Sequence, residues 1–353
     1  MDLLSKRGRS GLWLAAVAAL GACIPDVDTD ESTIVAPRVL AVQAIPAESA
    51  PSAGATIRYL ALVADATGTR SDVPLSWFQC LAQKPLAELG PISLDCLNTD
   101  SGKLTLLGQG PSVEGKLPSN ACSLFGPNPP MPAQGEPAGR PVDADESGGY
   151  NLPLMVGLSG AASADVTLYE QRILCGLANV APSVSLEYTQ RYHPNENPAS
   201  RQLSVVRASG TQVIAEDATL EVSVGERVEL EVAWADCPAT DVCGDGVCGP
   251  DETAQSCAQD CTKVMGCAGQ ERYLDYDREN GALRVRTEGL RVAWYGTRGV
   301  YDNERTGVSE DERAGSSKNG WTAPTTGGAL TLWLVLRDSR GGVGFRSVNV
   351  LVR

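Results

Sequence analysis

The sequence predicts an all-β protein of two β-sandwiches, the second carrying a small disulfide-rich insertion. Three observations carry that expectation. Strand-like segments with apolar residues at alternate positions recur as two copies along the chain. No long amphipathic helix pattern is present in the 353 residues. The cysteines beyond residue 23 fall into two even groups, one for each copy.

The chain opens on a basic leader, Lys6, Arg7 and Arg9, and an apolar run from Gly11 to Ala22. That run is too short to span a bilayer as a helix. It ends in Leu20-Gly21-Ala22-Cys23, which resembles the lipobox of bacterial lipoproteins. The resemblance implies that residues 1–22 are a signal peptide, cut before Cys23. The cysteine would then be acylated, and the lipid would make a membrane the first partner. An ordinary secretory signal is the alternative. By the enteric-type sorting rule, Ile24 in place of Asp favours the outer membrane. Residues 23–36, with Asp26, Asp28, Asp30 and Glu31, read as a solvated acidic tether with little to offer a core. The whole chain has net charge −14; losing three basic residues and Asp2 with the leader takes it to about −16. Such a balance argues against nucleic acid and against polybasic contact with a membrane.

The repeat defines the next elements. Ser52 to Asp65 aligns without gaps on Ser223 to Asp236, a glycine turn (Gly54, Gly225) opening a strand in each. Arg38-Val-Leu40 matches Arg201-Gln-Leu203, and Leu75-x-Trp77-Phe78 matches Val292-x-Trp294-Tyr295. Later, Val166-Thr-Leu168-Tyr169 is set against Leu330-Thr-Leu332-Trp333. Closing strands are expected at Val184–Tyr188 and Phe345–Val352. The order of strands and the Trp on the third resemble bacterial immunoglobulin-like domains, in which that Trp packs between two sheets. The resemblance places one domain at 37–192 and another at 201–353, joined by a polar linker at 193–200. Within the first, 118–149 is rich in Pro and Gly and reads as a mobile loop.

An exported chain is expected to oxidise its cysteines. Cys80, Cys96, Cys122 and Cys175 form one group, and Cys237, Cys243, Cys248, Cys257, Cys261 and Cys267 the other. Bridges within each group are expected and none between them. Cys80–Cys175 and Cys80–Cys96 stay open as alternatives. The second group occupies an insertion at 237–267, between strands that a short loop joins in the first copy. Thiolate zinc has nearly fitting spacings there, but such sites belong mainly to reducing compartments.

The core of the insertion reads Cys243-Gly-Asp245-Gly-Val-Cys248, then Pro250-Asp251-Glu252, then Cys257-Ala-Gln-Asp260-Cys261. It resembles the short cysteine-rich repeats of myxobacterial surface proteins, which implies an extracytoplasmic surface protein without pointing to an activity. Asp245, Asp251, Glu252 and Asp260 are the candidate ligands of a Ca²⁺ ion. Turn formation and backbone capping by the same acids is the alternative. A second hint of a calcium loop, Asp275-x-Asp277-x-Glu279, is better read as a hairpin turning at Asn280-Gly281.

Catalytic motifs are not found. His193 is the single histidine and reads as an exposed spectator. Glu304, Glu310, Asp311 and Glu312 read as a solvated charge run, although paired carboxylates could serve a hydrolase. The expectation is a non-catalytic surface lipoprotein that binds an unknown protein or glycan. A structural envelope component is the alternative, and a carboxylate hydrolase the remotest one.

Overall fold

The computed structural model describes residues 31–51, 56–84, 92–131, 134–135, 144–158, 166–261 and 266–353. The leader, Cys23, the tether through Asp30 and the turn at Gly54 lie outside them. In the first sandwich the chain forms β1 (Arg38–Ile45), β2 (Glu48–Ser49), β3 (Thr56–Asp65), β4 (Gly68–Arg70), β5 (Leu75–Cys80), β6 (Leu104–Gln109), β7 (Ser112–Lys116), β8 (Gly149–Leu158) and β9 (Val166–Leu174). One sheet is built on β3, with β1 along one edge and β4 and β7 along the other. The second runs β2-β9-β8-β5-β6.

The second sandwich comprises β10 (Gln202–Arg207), β11 (Gly210–Ile214), β12 (Thr219–Val222) and β13 (Arg227–Ala233) before the insertion. Between the insertion and the next sandwich strand, β14 (Arg272–Asp277) and β15 (Ala282–Thr287) make a separate hairpin. After it come β16 (Leu290–Gly296), β17 (Val300–Tyr301), β18 (Arg305–Val308), β19 (Ser316–Thr322), β20 (Gly328–Asp338) and β21 (Val343–Val352). The sheets run β11-β10-β13-β19-β17 and β12-β21-β20-β16-β18. In both sandwiches an early short strand crosses to the second sheet and pairs in parallel with the last strand, β2 with β9 and β12 with β21. The same immunoglobulin-like topology therefore occurs twice.

Three of the four repeat matches fall on equivalent strands: β1 with β10, β3 with β13, and β5 with β16. Trp77 and Trp294 are each buried between their sheets, in cores of Val, Leu and Ile. The fourth match is one strand out of step. Val166–Tyr169 lies on the last strand of its sandwich, but Leu330–Trp333 lies on the strand before the last. The true counterpart of β20 is β8, where Pro153 sits mid-strand without a ladder donor and hides the signal.

Two further expectations are corrected. Val184–Tyr188 is not a strand; it belongs to helix α2 (Pro182–Arg191), after α1 (Ala121–Phe125). Pro182 at the start presets the helical φ. Tyr188 and Tyr192, four apart, stack with centroids 4.7 Å apart, and the Tyr188 hydroxyl donates to the Ser147 carbonyl at 2.7 Å. The period-2 pattern Val184-Ser-Leu186-Glu-Tyr188 also contains an i, i+4 pair, so short alternation alone could not separate the two. The Pro/Gly-rich segment 118–149 is not wholly a loop either. Ala121 and Phe125 of α1 enter the first core, and Cys122 bridges to Cys175.

The two sandwiches pack face to face. β20 is buried on both sides: Leu330, Leu332, Leu334 and Leu336 fill its own core, while Trp333 and Val335 point outward. They meet Leu40, Ala41, Leu62 and Ala64 on the outer face of the β1–β3 sheet, together with Ala293 and Tyr295 of β16. Trp333 Nε1 donates to Thr69 Oγ1 at 2.8 Å, Arg337 Nη2 to the Leu40 carbonyl at 3.0 Å and Gln43 Nε2 to the Val343 carbonyl at 2.6 Å. The tether's last residues join this layer. Ile34 is buried in it, and its N–H donates to the Gly296 carbonyl at 2.9 Å. Ser32 to Arg353 thus forms one packed unit.

Candidate functional site

The insertion follows β13, and the β14–β15 hairpin links it to β16. Too short to bury a core of its own, it is stapled. Cys237–Cys267 closes its base, and Cys243–Cys257 and Cys248–Cys261 lie inside that loop. In the first sandwich Cys80 bonds Cys96 and Cys122 bonds Cys175. Each of the five bridges stays within its own cysteine group.

The acids of the insertion shape its backbone. Asp260, at helix α3 (Ala258–Cys261), is buried and accepts from the Gly244 and Gly246 N–H groups. Glu252, also buried, accepts from Gly249 N at 3.1 Å. Asp245 accepts from Val247 N at 2.9 Å in a turn. Asp251 faces the other way, pairing with Arg191 of α2 at 2.7 Å and Arg272 of β14 at 3.4 Å. Glu252 and Asp260 lie close to the Cys243–Cys257 sulfurs, but Asp245 and Asp251 are not part of that group. The four candidate calcium ligands are therefore not brought together. Each serves a local N–H or arginine, and a cation of this kind needs six to eight oxygens. The Asp277 side chain accepts from Glu279 N and Asn280 N and holds the turn of the β14–β15 hairpin, with Gly281 at φ +64°.

His193 is not an exposed spectator. It is half-buried, its Nε2 lies 3.2 Å from Cys248 Sγ, and burial lowers its pKa. Cys248 and Cys261 near it are joined as a disulfide, so they offer no thiolate pair to zinc. The segment 193–200 is likewise packed: Asn195 and Pro198 are buried.

Beside the insertion lies a buried ionic hub. Arg340, in the turn between β20 and β21, donates from Nε to Glu288 Oε1 at 2.6 Å and from Nη2 to Glu271. Its Nη1 reaches the Tyr192 hydroxyl at 3.3 Å, and its guanidinium stacks 4.7 Å from the Tyr273 ring centre. Tyr192 donates to Glu48 Oε2 at 2.7 Å, and Glu48 Oε1 accepts from Arg172 Nε at 3.0 Å. Asp338 accepts from Asn195 Nδ2 at 3.2 Å and from Gly342 N at 2.8 Å. Glu271 also accepts from Cys267 N, at the base of the insertion. One network therefore joins the first sandwich, the linker, the insertion and the second sandwich.

Burial pushes the Glu271 carboxyl up to about 7, and it raises those of Glu288 and Asp338 as well. Burial works against the Arg340 charge too, but the carboxylates of Glu288 and Glu271 hold it protonated. An acid with a raised folded-state pKa favours folding below its unfolded value and loses that contribution as pH rises through the folded one. For Glu271, unfolding free energy is therefore expected to fall between about pH 4.5 and pH 7, by up to about 1.4 kcal/mol per pH unit. Glu271→Gln should flatten that slope, measured by denaturant titration at several pH values. An unchanged slope would mean that Glu271 is ionised in the folded protein.

The surface acids do not assemble a cleft. Glu310 pairs with Arg286, while Glu304, Asp311 and Glu312 are exposed. Among the described residues, no helix is long and apolar enough to cross a membrane. The sequence reading missed the hub altogether. The Tyr188/Tyr192 spacing was its one local trace, and its charges carry no motif.

No family model and no curated protein matches the chain. Among solved structures it is similar to the D0-D1 domain of Intimin, at 11% identity over 89% of this chain and 96% of that one, with a TM-score of 0.18. Trypsin-activated alpha-2-macroglobulin from Escherichia coli aligns at 10% identity over 91% of this chain and 17% of its own, TM-score 0.20. The Bacteroides ovatus glucan-locus protein SGBP-B, solved with a mixed-linkage heptasaccharide, aligns at 14% identity over 89% of this chain and 47% of its own, TM-score 0.14. Superpositions this loose add nothing to the fold, which rests on the strand order. That order and the stapled insertion define the chain as a tandem immunoglobulin-like protein with an elaborated loop.

Proposed function

We propose that the chain is a non-catalytic, membrane-anchored surface lipoprotein that presents the stapled insertion to a protein or glycan partner. The observation that carries this reading is the clamping of the insertion. Three internal disulfides stiffen it, and the Arg191–Asp251 pair, the His193–Cys248 contact and the Arg340 hub hold it at the junction of the sandwiches, while its outer turns stay open, with Val242 58% exposed. A preorganised loop at the end of a sandwich loses little entropy on binding. Lipid at Cys23 would supply the address.

Cys23→Ser is expected to give unacylated protein in the soluble fraction, and a wild-type chain that keeps residue 1 without lipid by intact mass would refute the anchor. Wild-type protein screened on glycans, peptides and envelope fractions is expected to enrich a ligand that Val242→Asp no longer retains at unchanged Tm. Equal retention by both would move the binding surface away from the insertion. Binding to nothing in the screen would favour the structural envelope reading.

A further inference from the structure

His193 and the Cys248–Cys261 bridge bring three metal-ligating atoms to one corner of the insertion. His193 Nε2, Cys248 Sγ and Cys261 Sγ all lie within 4.8 Å of one another, and Nε2 stands 3.2 Å from the Cys248 sulfur. A tetrahedral Zn²⁺, with Zn–N of ~2.0 Å and Zn–S of ~2.3 Å, sets nitrogen and sulfur ~3.5 Å apart and two sulfurs ~3.8 Å apart. The imidazole is therefore already close to a ligand's place. Only the sulfur–sulfur bond stands in the way. Side-chain rotation can part the sulfurs once it is broken, because the two Cα atoms are 4.9 Å apart.

The corner does not depend on that bridge to stay assembled. His193 follows Tyr192, whose hydroxyl donates to Glu48 at 2.7 Å, and Asn195 N donates to the same carboxylate at 2.9 Å. Just past Cys248, Arg191 holds the Pro250 carbonyl at 2.8 Å and Asp251 at 2.7 Å. Cys261 ends α3, which Asp260 ties to the Gly244 and Gly246 N–H groups. Cys237–Cys267 and Cys243–Cys257 close the loop on their own. The other inner bridge, Cys243–Cys257, also has oxygen ligands beside it, Glu252 and Asp260. Those carboxylates are engaged by the N–H groups of Gly249, Gly244 and Gly246, and a metal there would uncap the turns. Two sulfurs and an imidazole are also the softer donor set, the one that thiophilic ions prefer.

We propose that thiol–disulfide exchange at Cys248–Cys261 unmasks a Zn²⁺ site made of His193 Nε2 and the two thiolates, with water as the fourth ligand. The reductant is a dithiol. Its two electrons break the sulfur–sulfur bond, its two protons pass to Cys248 and Cys261, and it leaves as a disulfide. Zn²⁺ then displaces one proton from each thiol and keeps its oxidation state. Re-oxidation by a disulfide takes the electrons back, closes the bridge and releases the ion. One corner of the loop is thus braced by a covalent bond or by a metal, according to the redox state around it. Neither form depends on the lipid anchor or on the partner proposed above.

The test uses the chain carrying Cys23→Ser, in which all ten remaining cysteines are bridged. Co²⁺ serves as the spectroscopic stand-in for Zn²⁺. A phosphine replaces the dithiol, because a dithiol binds these metals itself. Cys248 and Cys261 are buried, which slows reduction, so it is carried to a constant thiol count. The oxidised chain is expected to show no thiolate-to-cobalt charge-transfer band. The reduced chain should bind Co²⁺ with that band and with tetrahedral ligand-field bands, and Zn²⁺ should displace it. His193→Gln should weaken Co²⁺ binding by about tenfold or more, since even an outer-shell change commonly costs that much. In the reduced chain with no change in the loop, Zn²⁺ should shield Cys248 and Cys261 from iodoacetamide and leave Cys243 and Cys257 open, read by peptide mass. A reduced chain that binds no Co²⁺, folded or not, overturns the site. Equal binding by His193→Gln overturns it as well. Shielding of Cys243 and Cys257 instead assigns the metal to Glu252 and Asp260 and overturns the proposal.

Discussion

Arg340→Met is expected to lower the unfolding free energy by about 3–5 kcal/mol, the loss typical of removing one partner from a buried charge network. The guanidinium is buried, and its replacement leaves Glu271 and Glu288 facing each other without a cation. The methionine stem keeps most of the volume, so the loss reports the charge and its hydrogen bonds rather than a cavity. Adding Glu271→Gln and Glu288→Gln to Arg340→Met should recover part of it, because neutral groups cost less to leave half-satisfied than carboxylates. Denaturant titration with the disulfides intact measures both. A loss below about 1 kcal/mol for Arg340→Met, a value ordinary for an exposed pair, would show that water reaches the hub.

Trp333→Ala is expected to cost about 3–5 kcal/mol and to change the shape of the transition as well as its midpoint. Trp333 belongs to neither sandwich core. It is buried in the layer between them, beside Leu40 and Leu62 of one and Tyr295 of the other, with its indole N–H on Thr69. Wild-type protein should unfold in a single cooperative step, because burying both faces of β20 makes each sandwich a condition for the other. With the indole gone, calorimetry should resolve two steps, one for each sandwich. Two steps already present in the wild type would show that the sandwiches fold independently and that the layer between them is weak.

The hub also changes what can be expected of the insertion. Read as a loop between matched strands, it should be removable from Cys237 to Cys267 with little consequence. The structure places the Cys267 N–H on Glu271, His193 against Cys248, and Arg191 on the Pro250 carbonyl and Asp251. The loop is therefore part of the junction. Point changes at its exposed turns test binding more cleanly than its deletion.

The strands were legible because their signal is local. Period-2 alternation in Arg227–Ala233 or Val343–Val352 records one buried face and one open face, whatever lies elsewhere in the chain. The Trp of β5 and β16, the hairpin turning at Asn280-Gly281 and the interruption between β13 and β16 could be read the same way. Where local signals agreed with two structures, as at Val184–Tyr188, the tertiary contacts of Tyr188 decided for the helix.

The amino-acid sequence by itself determined the all-β class, the twofold repeat and the place of the stapled insertion, since each is written within a dozen or so neighbouring residues. Only the tertiary structure decided that the two sandwiches share a buried layer, that His193 and Asn195 are packed, and that Asp245 and Asp251 stand apart from Glu252 and Asp260. The physical reason is distance along the chain. Tyr192 meets Glu48 across 144 residues and Arg340 across 148, and Trp333 meets Thr69 across 264. A single arginine in a turn has the same local pattern whether water or two carboxylates await it, and what it meets is set by how the sheets stack.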